Sequence, residues 1–131
     1  LKLSGIGKVN LSSFYENKKS LTDDFKQFLN KFGDQRVAIW GAGHQALAIM
    51  SLTHLESKIK YVVDSAPFKQ NKFTPATHIP IVSPEKLHTD PVDAIIVMAA
   101  SYSDEVVNII RTKFVHIENI AILNSNELLI I

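Results

Sequence analysis

The sequence predicts an α/β fold with three layers, in which a mainly parallel sheet lies between two layers of helices. The first observation is that short apolar runs alternate with helical patterns along most of the chain. The second is that the strongest predicted strand, Asp93–Ala99, is apolar without alternation after its first residue. A strand with no polar face is typical of a parallel sheet covered on both sides. Right-handed crossovers then bring the carboxyl ends of the strands to one edge, where ligands bind in such sheets.

Composition places the chain among globular domains of ordinary charge. Its 131 residues fit one domain, with no cysteine and a formal net charge of +1. Because lysines and arginines are interspersed with acids, we expect no nucleic-acid partner. The longest apolar run, Ala94–Ala100, is far shorter than the roughly 20 residues that a membrane span needs. We therefore expect no membrane partner and a cytoplasmic location.

The chain is predicted to begin with a polar segment that leads into an amphipathic helix. Residues 1–19 have no stable hydrophobic period, and we interpret them as a linker or an arm from a preceding domain. Residues 20–131 are predicted to form the α/β domain. Ser20 and Asp23 resemble a capping box that starts the helix, and Gly33 ends it. The apolar stripe of this helix consists of Leu21, Phe25, Phe28, Leu29 and Phe32.

The next elements form a unit of strand, helix and strand. Val37–Trp40 and Ile59–Val63 are predicted strands, and the segment from Gln45 to about Leu55 is the helix between them. The stretch 64–84 contains four prolines and no helical period, so it is predicted to be an irregular loop with a short strand at 79–82. A loop of this length commonly carries function.

The second half of the chain is predicted to contain two further helical segments and two strands. Serines are expected at the helix starts, because their oxygens accept hydrogen bonds from the first free backbone N–H groups. The predicted elements are a helical turn capped by Ser83 with Pro84 at its first position, the strand Asp93–Ala99, a helix capped by Ser101 or Ser103 and ending near Lys113, the strand Ile120–Leu123, and a frayed tail at Asn126–Ile131.

A glycine-containing turn joins the first strand to the first crossover helix and is the main candidate binding site. It reads W-G-A-G-H-Q-A, and Asp64 follows the next strand, 21 residues after Gly43. This layout is typical of a Rossmann-like unit, in which Gly41 forms the tight turn and Gly43 lets the backbone approach a phosphate. Asp64 is then a candidate to accept hydrogen bonds from ribose hydroxyls. The alternatives are a turn that only connects strand to helix, and an Asp64 that caps the backbone of the following turn.

Further polar residues are predicted at the same edge of the sheet. His44, at the first helical turn, and His78, in the long loop, are candidates to hydrogen-bond a ligand. Lys69 is a candidate phosphate contact, while Ser101 and Tyr102 follow the strongest strand, where a base or sugar lies in Rossmann-like folds. The alternative for each is an ordinary surface, turn or capping residue. The other histidines share no ligand spacing with these two, so no metal site is predicted.

The segment that starts at Tyr61 resembles a known protein family. It reads Y-V-V-D-S-A-P-F-K-Q-N-K-F-T-P-A-T-H-I-P-I and continues V-S-P-E-K-L. This resembles the C-terminal domain of the sugar C-methyltransferases, whose pattern is roughly YVVDxNPxKQGxYxPGTHIPIxSPEEL. The resemblance extends over about residues 37–107 and adds Thr77 to the candidate site. The shared residues are Asp64, Pro67, Lys69, Gln70, Pro75, Thr77, His78, Ile79, Pro80, Ser83, Pro84 and Glu85.

The resemblance implies a Rossmann-like C-terminal domain of an enzyme that methylates a ring carbon of a nucleotide-linked keto-deoxysugar. In that family a zinc-binding region and a domain that binds S-adenosylmethionine precede this domain. The implied partners are therefore a nucleotide-linked sugar and a preceding methyltransferase domain. S-adenosylmethionine is expected in the full-length protein, bound outside this chain. The resemblance assigns no catalytic residue here.

One departure from the family pattern affects the candidate site. Gln45 stands where the family has a lysine near the glycine turn, so a positive charge that could face a phosphate is absent. Two other functions remain open. One is a stand-alone module that binds a nucleotide or nucleotide-sugar without catalysis. The other is a fragment of an NAD-binding oxidoreductase, which the G-x-G-x-x-A spacing and Asp64 favour.

Overall fold

A computed structural model describes residues 18–124 and 127–131 of the chain. In these residues a seven-stranded sheet, parallel except at its two edges, lies between layers of helices. The predicted three-layer α/β/α class is therefore confirmed. Residues 1–17, which make up most of the predicted arm, lie outside the described residues. Within the described residues, no helix is long and apolar enough to cross a membrane.

The strands and helices alternate along most of the chain, as the sequence predicts. The strands are β1 (Val37–Trp40), β2 (Ile59–Val63), β3 (Lys72–Phe73), β4 (Pro80–Val82), β5 (Ala94–Val97), β6 (Asn119–Asn124) and β7 (Glu127–Ile130). The helices are α1 (Lys18–Asn30), α2 (His44–Thr53), α3 (Lys86–Thr89) and α4 (Ser103–Lys113). Short 3-10 turns cover Pro67–Lys69 and Ala100–Tyr102.

The order of strands across the sheet places a topological switch point beside β1. The order is β3-β4-β2-β1-β5-β6-β7, in which β3 and β7 are antiparallel to their neighbours and the other five strands are parallel. The chain runs outward from β1 to β2 and β4, then returns to β5 on the other side of β1. In α/β sheets the crevice at such a point, outside the carboxyl ends of the strands, is where ligands bind.

Two apolar clusters cover the two faces of the sheet. Alternate residues of β1 supply both clusters, because successive side chains of a strand point to opposite faces. Val37 and Ile39 pack with the buried residues of α1 and α2, whereas Ala38 and Trp40 pack with those of α4. All four residues of β1 and of β5 are buried. The uninterrupted apolar pattern of β1 and β5 is therefore explained, as expected, by burial of both faces of the sheet.

Three predictions about helix starts are wrong. Ser20 lies inside α1, which already includes Lys18, so Ser20 is not the cap that starts this helix. The 3-10 turn 100–102 precedes α4, and Ser103 is therefore helical and cannot act as the cap. The Ser103 hydroxyl is buried without a hydrogen-bond partner among the described residues, and Ser101 makes no cap hydrogen bond. In the third case α3 begins at Lys86, and the Ser83 carbonyl, not its side chain, accepts from the N–H of Lys86.

Two strands at the sheet edges were not predicted. The tail expected from Asn126 onward is instead β7 from Glu127, paired antiparallel with β6 and held at its end by the N–H of Ile131 on the Ile120 carbonyl, 3.0 Å away. Leu128 packs against the cluster that contains α1, so apolar burial explains the order of this segment. β3 lies in the predicted loop 64–84 and pairs with β4. It has two residues, too few for a hydrophobic period to identify it.

An ion pair joins the amino ends of β1 and β5, at the edge opposite the switch point. Two guanidinium nitrogens of Arg36, Nε and Nη2, donate to the Asp93 carboxylate, at 2.8 and 2.7 Å. These hydrogen bonds from Arg36 hold the pKa of Asp93 below its usual range. Both side chains are almost half exposed, so we expect only a small contribution to stability.

Removal of this carboxylate should produce a pH-dependent loss of stability. Because the pKa of Asp93 is lower in the folded than in the unfolded state, the pair stabilises the fold fully above the unfolded pKa of about 4, and this contribution is lost as the pH falls through the lower pKa of the folded state. Asp93→Asn should therefore be slightly less stable than the parent at pH 7, and this difference in stability should be smaller at pH 3. Urea unfolding at both pH values measures this. A difference that is the same at both would contradict it.

Candidate functional site

A cleft lies at the carboxyl ends of β1 and β5, at the switch point. Its volume is about 650 Å³, within the range of small-molecule sites. We call it the switch-point cleft. It is lined by residues 40–46, Asp64, Ser65, Lys69, residues 98–100, Tyr102, Val106, Leu123 and Asn124.

Gly41 forms the tight turn that the sequence predicts at the end of β1. Its φ of +127° lies in a region that residues with side chains rarely adopt. A Cβ placed on Gly41 would come within 2.9 Å of the carbonyl carbon of Met98 and closer still to its oxygen. The N–H of Gly41 donates to the Val63 carbonyl at 2.8 Å. The backbone is therefore held between the ends of β2 and β5, and only glycine fits.

Gly43 begins the helix and leaves open space at the wall of the cleft. It occupies the N-cap position of α2 with extended backbone, φ −80° and ψ 170°, and a Cβ there would meet no atom within 4 Å. The N–H groups of residues 43–46 have no acceptor among residues 18–124 and 127–131. Free N–H groups at a helix start favour an anion, because they donate hydrogen bonds and carry the positive end of the helix dipole.

Asp64 fixes the glycine turn to the end of β2. Its Oδ2 accepts from the N–H of Ala42 and its Oδ1 from that of Ala66, both at 2.9 Å, and its side chain is only 14% exposed. These contacts match the alternative in which Asp64 caps backbone. Because Asp64 already accepts from Ala42, that N–H is not free for a ligand. The free donors of the turn therefore begin at Gly43.

Lys69 brings a positive charge next to the same turn. Its Nζ lies 3.4 Å from the Ala42 carbonyl oxygen and 3.7 Å from Asp64 Oδ2. The charge of Asp64 offsets that of Lys69, so the turn itself is close to neutral. An arriving phosphate would meet both the ammonium of Lys69 and the free N–H groups of α2. Gln45, which stands where the family pattern has a lysine, is exposed and adds no charge.

The structure brings together seven of the ten candidate site residues. The residues that line the switch-point cleft are Gly41, Gly43, His44, Gln45, Asp64, Lys69 and Tyr102. Thr77 and His78 instead lie in the turn between β3 and β4, where the N–H of His78 donates to the Thr74 carbonyl at 2.9 Å and Thr77 Oγ1 contacts Thr74 Oγ1. Ser101 is exposed on the 3-10 turn. None of these three lines the switch-point cleft.

Several cleft residues were not predicted from the sequence. Met98 continues β5 into the cleft and lies beside Gly41. Asn124 ends β6, next to β5 in the sheet, and brings an amide to the far side of the cleft. A polar residue directly after an apolar strand is the pattern that could have identified Asn124, since parallel strands end at the same edge.

Comparisons with known proteins agree with this architecture. A family model described as the C-methyltransferase C-terminal domain matches residues 6–117 of the chain. The crystal structure of UDP-D-quinovosamine 4-dehydrogenase from Vibrio fischeri is similar in fold, with a TM-score of 0.54 and 17% sequence identity, over 75% of this chain and 93% of that chain. At this identity the likeness shows a Rossmann-like fold only. No curated protein matches the chain.

Proposed function

The chain belongs to the family of C-methyltransferase C-terminal domains, and on that premise we propose that it holds a nucleotide-linked sugar in the switch-point cleft. The diphosphate would lie against the N–H groups of residues 43–46, with the Lys69 ammonium beside it. The single observation that carries the proposal is this row of donors without acceptors, open to a cleft of about 650 Å³.

The proposal also assigns different roles to this chain and to the other domains of the enzyme. The candidate residues supply hydrogen-bond donors and one ammonium, which suit binding and orientation of an anionic substrate. We assign no proton transfer or nucleophile to them. S-adenosylmethionine and the methyl transfer would belong to a preceding methyltransferase domain, and the switch-point cleft would present the sugar to it. The dehydrogenase of similar fold acts, by its name, on a UDP-sugar, which agrees with this substrate class.

The NAD-binding alternative has less support. Rossmann-like enzymes use an acid after the second strand to accept from ribose hydroxyls. Here both oxygens of Asp64 already accept from backbone N–H groups. The same observation weakens the case for S-adenosylmethionine in this cleft, because its ribose presents the same hydroxyl pair. A stand-alone binding module would use the cleft in the same way as the proposed domain, and only the domains encoded with it separate the two.

Calorimetric titration with a set of ligands tests the proposal. Thymidine diphosphate-glucose and uridine diphosphate-glucose should bind to the chain, NADH should bind more weakly because Asp64 is not free for its ribose, and S-adenosylmethionine, which has no phosphate, should give no binding heat. The proposal would be contradicted if neither nucleotide-sugar bound to the chain. Tight binding of NADH would favour the oxidoreductase alternative.

Gly43→Leu is the matched variant for this titration. Gly43 has a backbone conformation open to any residue and free space around it, so the fold should lose less than about 1 kcal/mol. The new side chain would cover the free N–H groups and remove at least one hydrogen bond to a charged group. We therefore expect at least about tenfold weaker nucleotide-sugar binding. Unchanged affinity in a folded Gly43→Leu variant would exclude residues 43–46 as the contact.

A further inference from the structure

A second, apolar groove adjoins the switch-point cleft on the β2 and β4 side. It has a volume of about 320 Å³ and shares Ala42, His44 and Lys69 with the cleft. We call it the aromatic groove. Its remaining lining consists of Leu47, Phe68, Lys72, Phe73, Pro75 and Ile81.

Two phenylalanines of this groove are unusually exposed. Phe68, on the 3-10 turn Pro67–Lys69, is 71% exposed, and Phe73, in β3, is 63% exposed, although backbone hydrogen bonds hold this segment. Large apolar side chains grouped on a surface beside a ligand site commonly contact a ligand or partner. Neither ring is needed for the core, since the buried clusters do not include them. Their role is therefore to be found at the surface.

The positive charges around the aromatic groove indicate which class of ligand it can bind. Lys69 Nζ lies 5.8 Å from the centroid of the Phe68 ring and 3.4 Å from the Ala42 carbonyl oxygen in the glycine turn. One lysine thus connects the aromatic groove to the free N–H groups of α2, and Lys72 adds a second ammonium to the groove wall. A molecule that fits both the aromatic groove and the free N–H groups of α2 has a flat ring joined to a phosphate.

We infer that the aromatic groove is the nucleobase subsite of the nucleotide-linked sugar. The inference rests on the proposed function, and it sets the direction of the ligand along the sheet edge. The base stacks on Phe68 or Phe73, the diphosphate lies between Lys69 and residues 43–46, and the sugar extends toward Tyr102 and Asn124. Stacking on phenyl rings suits any base, because every base has a flat π-face.

The polar far side of the cleft agrees with this direction. Tyr102 is exposed on the 3-10 turn after β5, and Asn124 ends β6, so both present polar groups beyond the diphosphate position. Hydroxyl and amide groups are suited to sugar hydroxyls. The reverse direction would place the hydroxylated sugar on two phenyl rings, which leaves the hydrogen bonds of its hydroxyl groups unmade.

Substitution of the two phenylalanines tests the subsite. Phe68→Ala and Phe73→Ala should fold as the parent does, because both side chains are mostly exposed. At least one of them should weaken binding of thymidine diphosphate-glucose about 5- to 150-fold, the range for loss of one base-stacking contact. Neither should change the binding of inorganic pyrophosphate, followed by amide NMR shifts at residues 43–46. Replacement of the affected phenylalanine by tyrosine should restore affinity, and Val115→Ala, at an exposed apolar residue after α4, should have no effect.

The possible outcomes separate this inference from the proposed function. If the parent chain binds neither pyrophosphate nor thymidine diphosphate-glucose at residues 43–46, the proposed function fails, and the subsite fails with it. If the parent binds both and the two alanine variants bind the nucleotide-sugar equally well, the subsite alone is refuted. The two phenylalanines would then be candidates for contact with a neighbouring domain.

Discussion

Replacement of Gly41 by alanine is expected to lower the free energy of unfolding by about 2–5 kcal/mol. Two costs combine at this residue. Its φ of +127° is strained for any residue with a Cβ, and that Cβ would overlap the Met98 carbonyl group. The turn cannot move away, because the N–H of Gly41 is bonded to Val63 O and the N–H of Met98 to Trp40 O, at 2.8 and 2.9 Å.

The other two glycines near the helices serve as controls for Gly41. Gly33 also has a positive φ, +79°, but its Cβ would meet nothing within 4 Å, while Gly43 has neither strain nor a neighbour. Urea unfolding should therefore rank the losses as Gly41→Ala largest, Gly33→Ala near 1 kcal/mol, and Gly43→Ala smallest. A Gly41→Ala variant no less stable than Gly33→Ala would contradict the close approach between the turn and β5.

Replacement of Asp64 by alanine should cost about 2–4 kcal/mol of unfolding free energy. The Asp64 carboxylate accepts from two backbone N–H groups and lies 3.7 Å from Lys69 Nζ, with its side chain 14% exposed. Alanine would leave both N–H groups without their acceptor and the ammonium without its counter-charge. The loss exceeds that of a surface pair, because the acceptor is mostly shielded from water.

Asparagine at residue 64 distinguishes the backbone role from a ligand role. Asp64→Asn keeps one carbonyl oxygen but turns an NH₂ toward the other N–H group, so we expect a loss between those of the parent and Asp64→Ala. Urea unfolding without ligand measures all three proteins. If both variants were as stable as the parent and only nucleotide binding fell, Asp64 would act mainly on the ligand.

Two of the central strands, β1 and β2, could be predicted to the residue, whereas β5 is shorter than the predicted Asp93–Ala99. β1 and β2 have the bounds that the sequence predicts, since both are short, apolar and followed by a glycine or an acid. The sequence predicts a frayed tail in place of the edge strand β7, because the adjacent residues Leu129 and Ile130, both exposed, show no alternation of apolar and polar side chains. Its pairing depends on the long-range contact with β6, which no local pattern contains.

The candidate site was predictable where backbone geometry determines it. The W-G-A-G-H-Q-A turn identified the start of α2 and the position of its free N–H groups. By contrast, Thr77 and His78 entered through loop position and family resemblance, and their contacts are those of the turn between β3 and β4. The sequence does not identify Phe68 and Phe73 as candidate site residues, because it does not reveal that these two aromatic side chains remain exposed.

The most direct test of the central claim is an NMR titration of the ¹⁵N-labelled chain with thymidine diphosphate-glucose. We expect saturable shifts of the amide signals of residues 43–46, because their N–H groups donate to the diphosphate. In Gly43→Leu the same shifts should reach half-saturation only at ligand concentrations at least about tenfold higher. Shifts confined to α4 and β7, or no saturable shift at residues 43–46, would contradict the claim that these N–H groups hold the nucleotide-sugar.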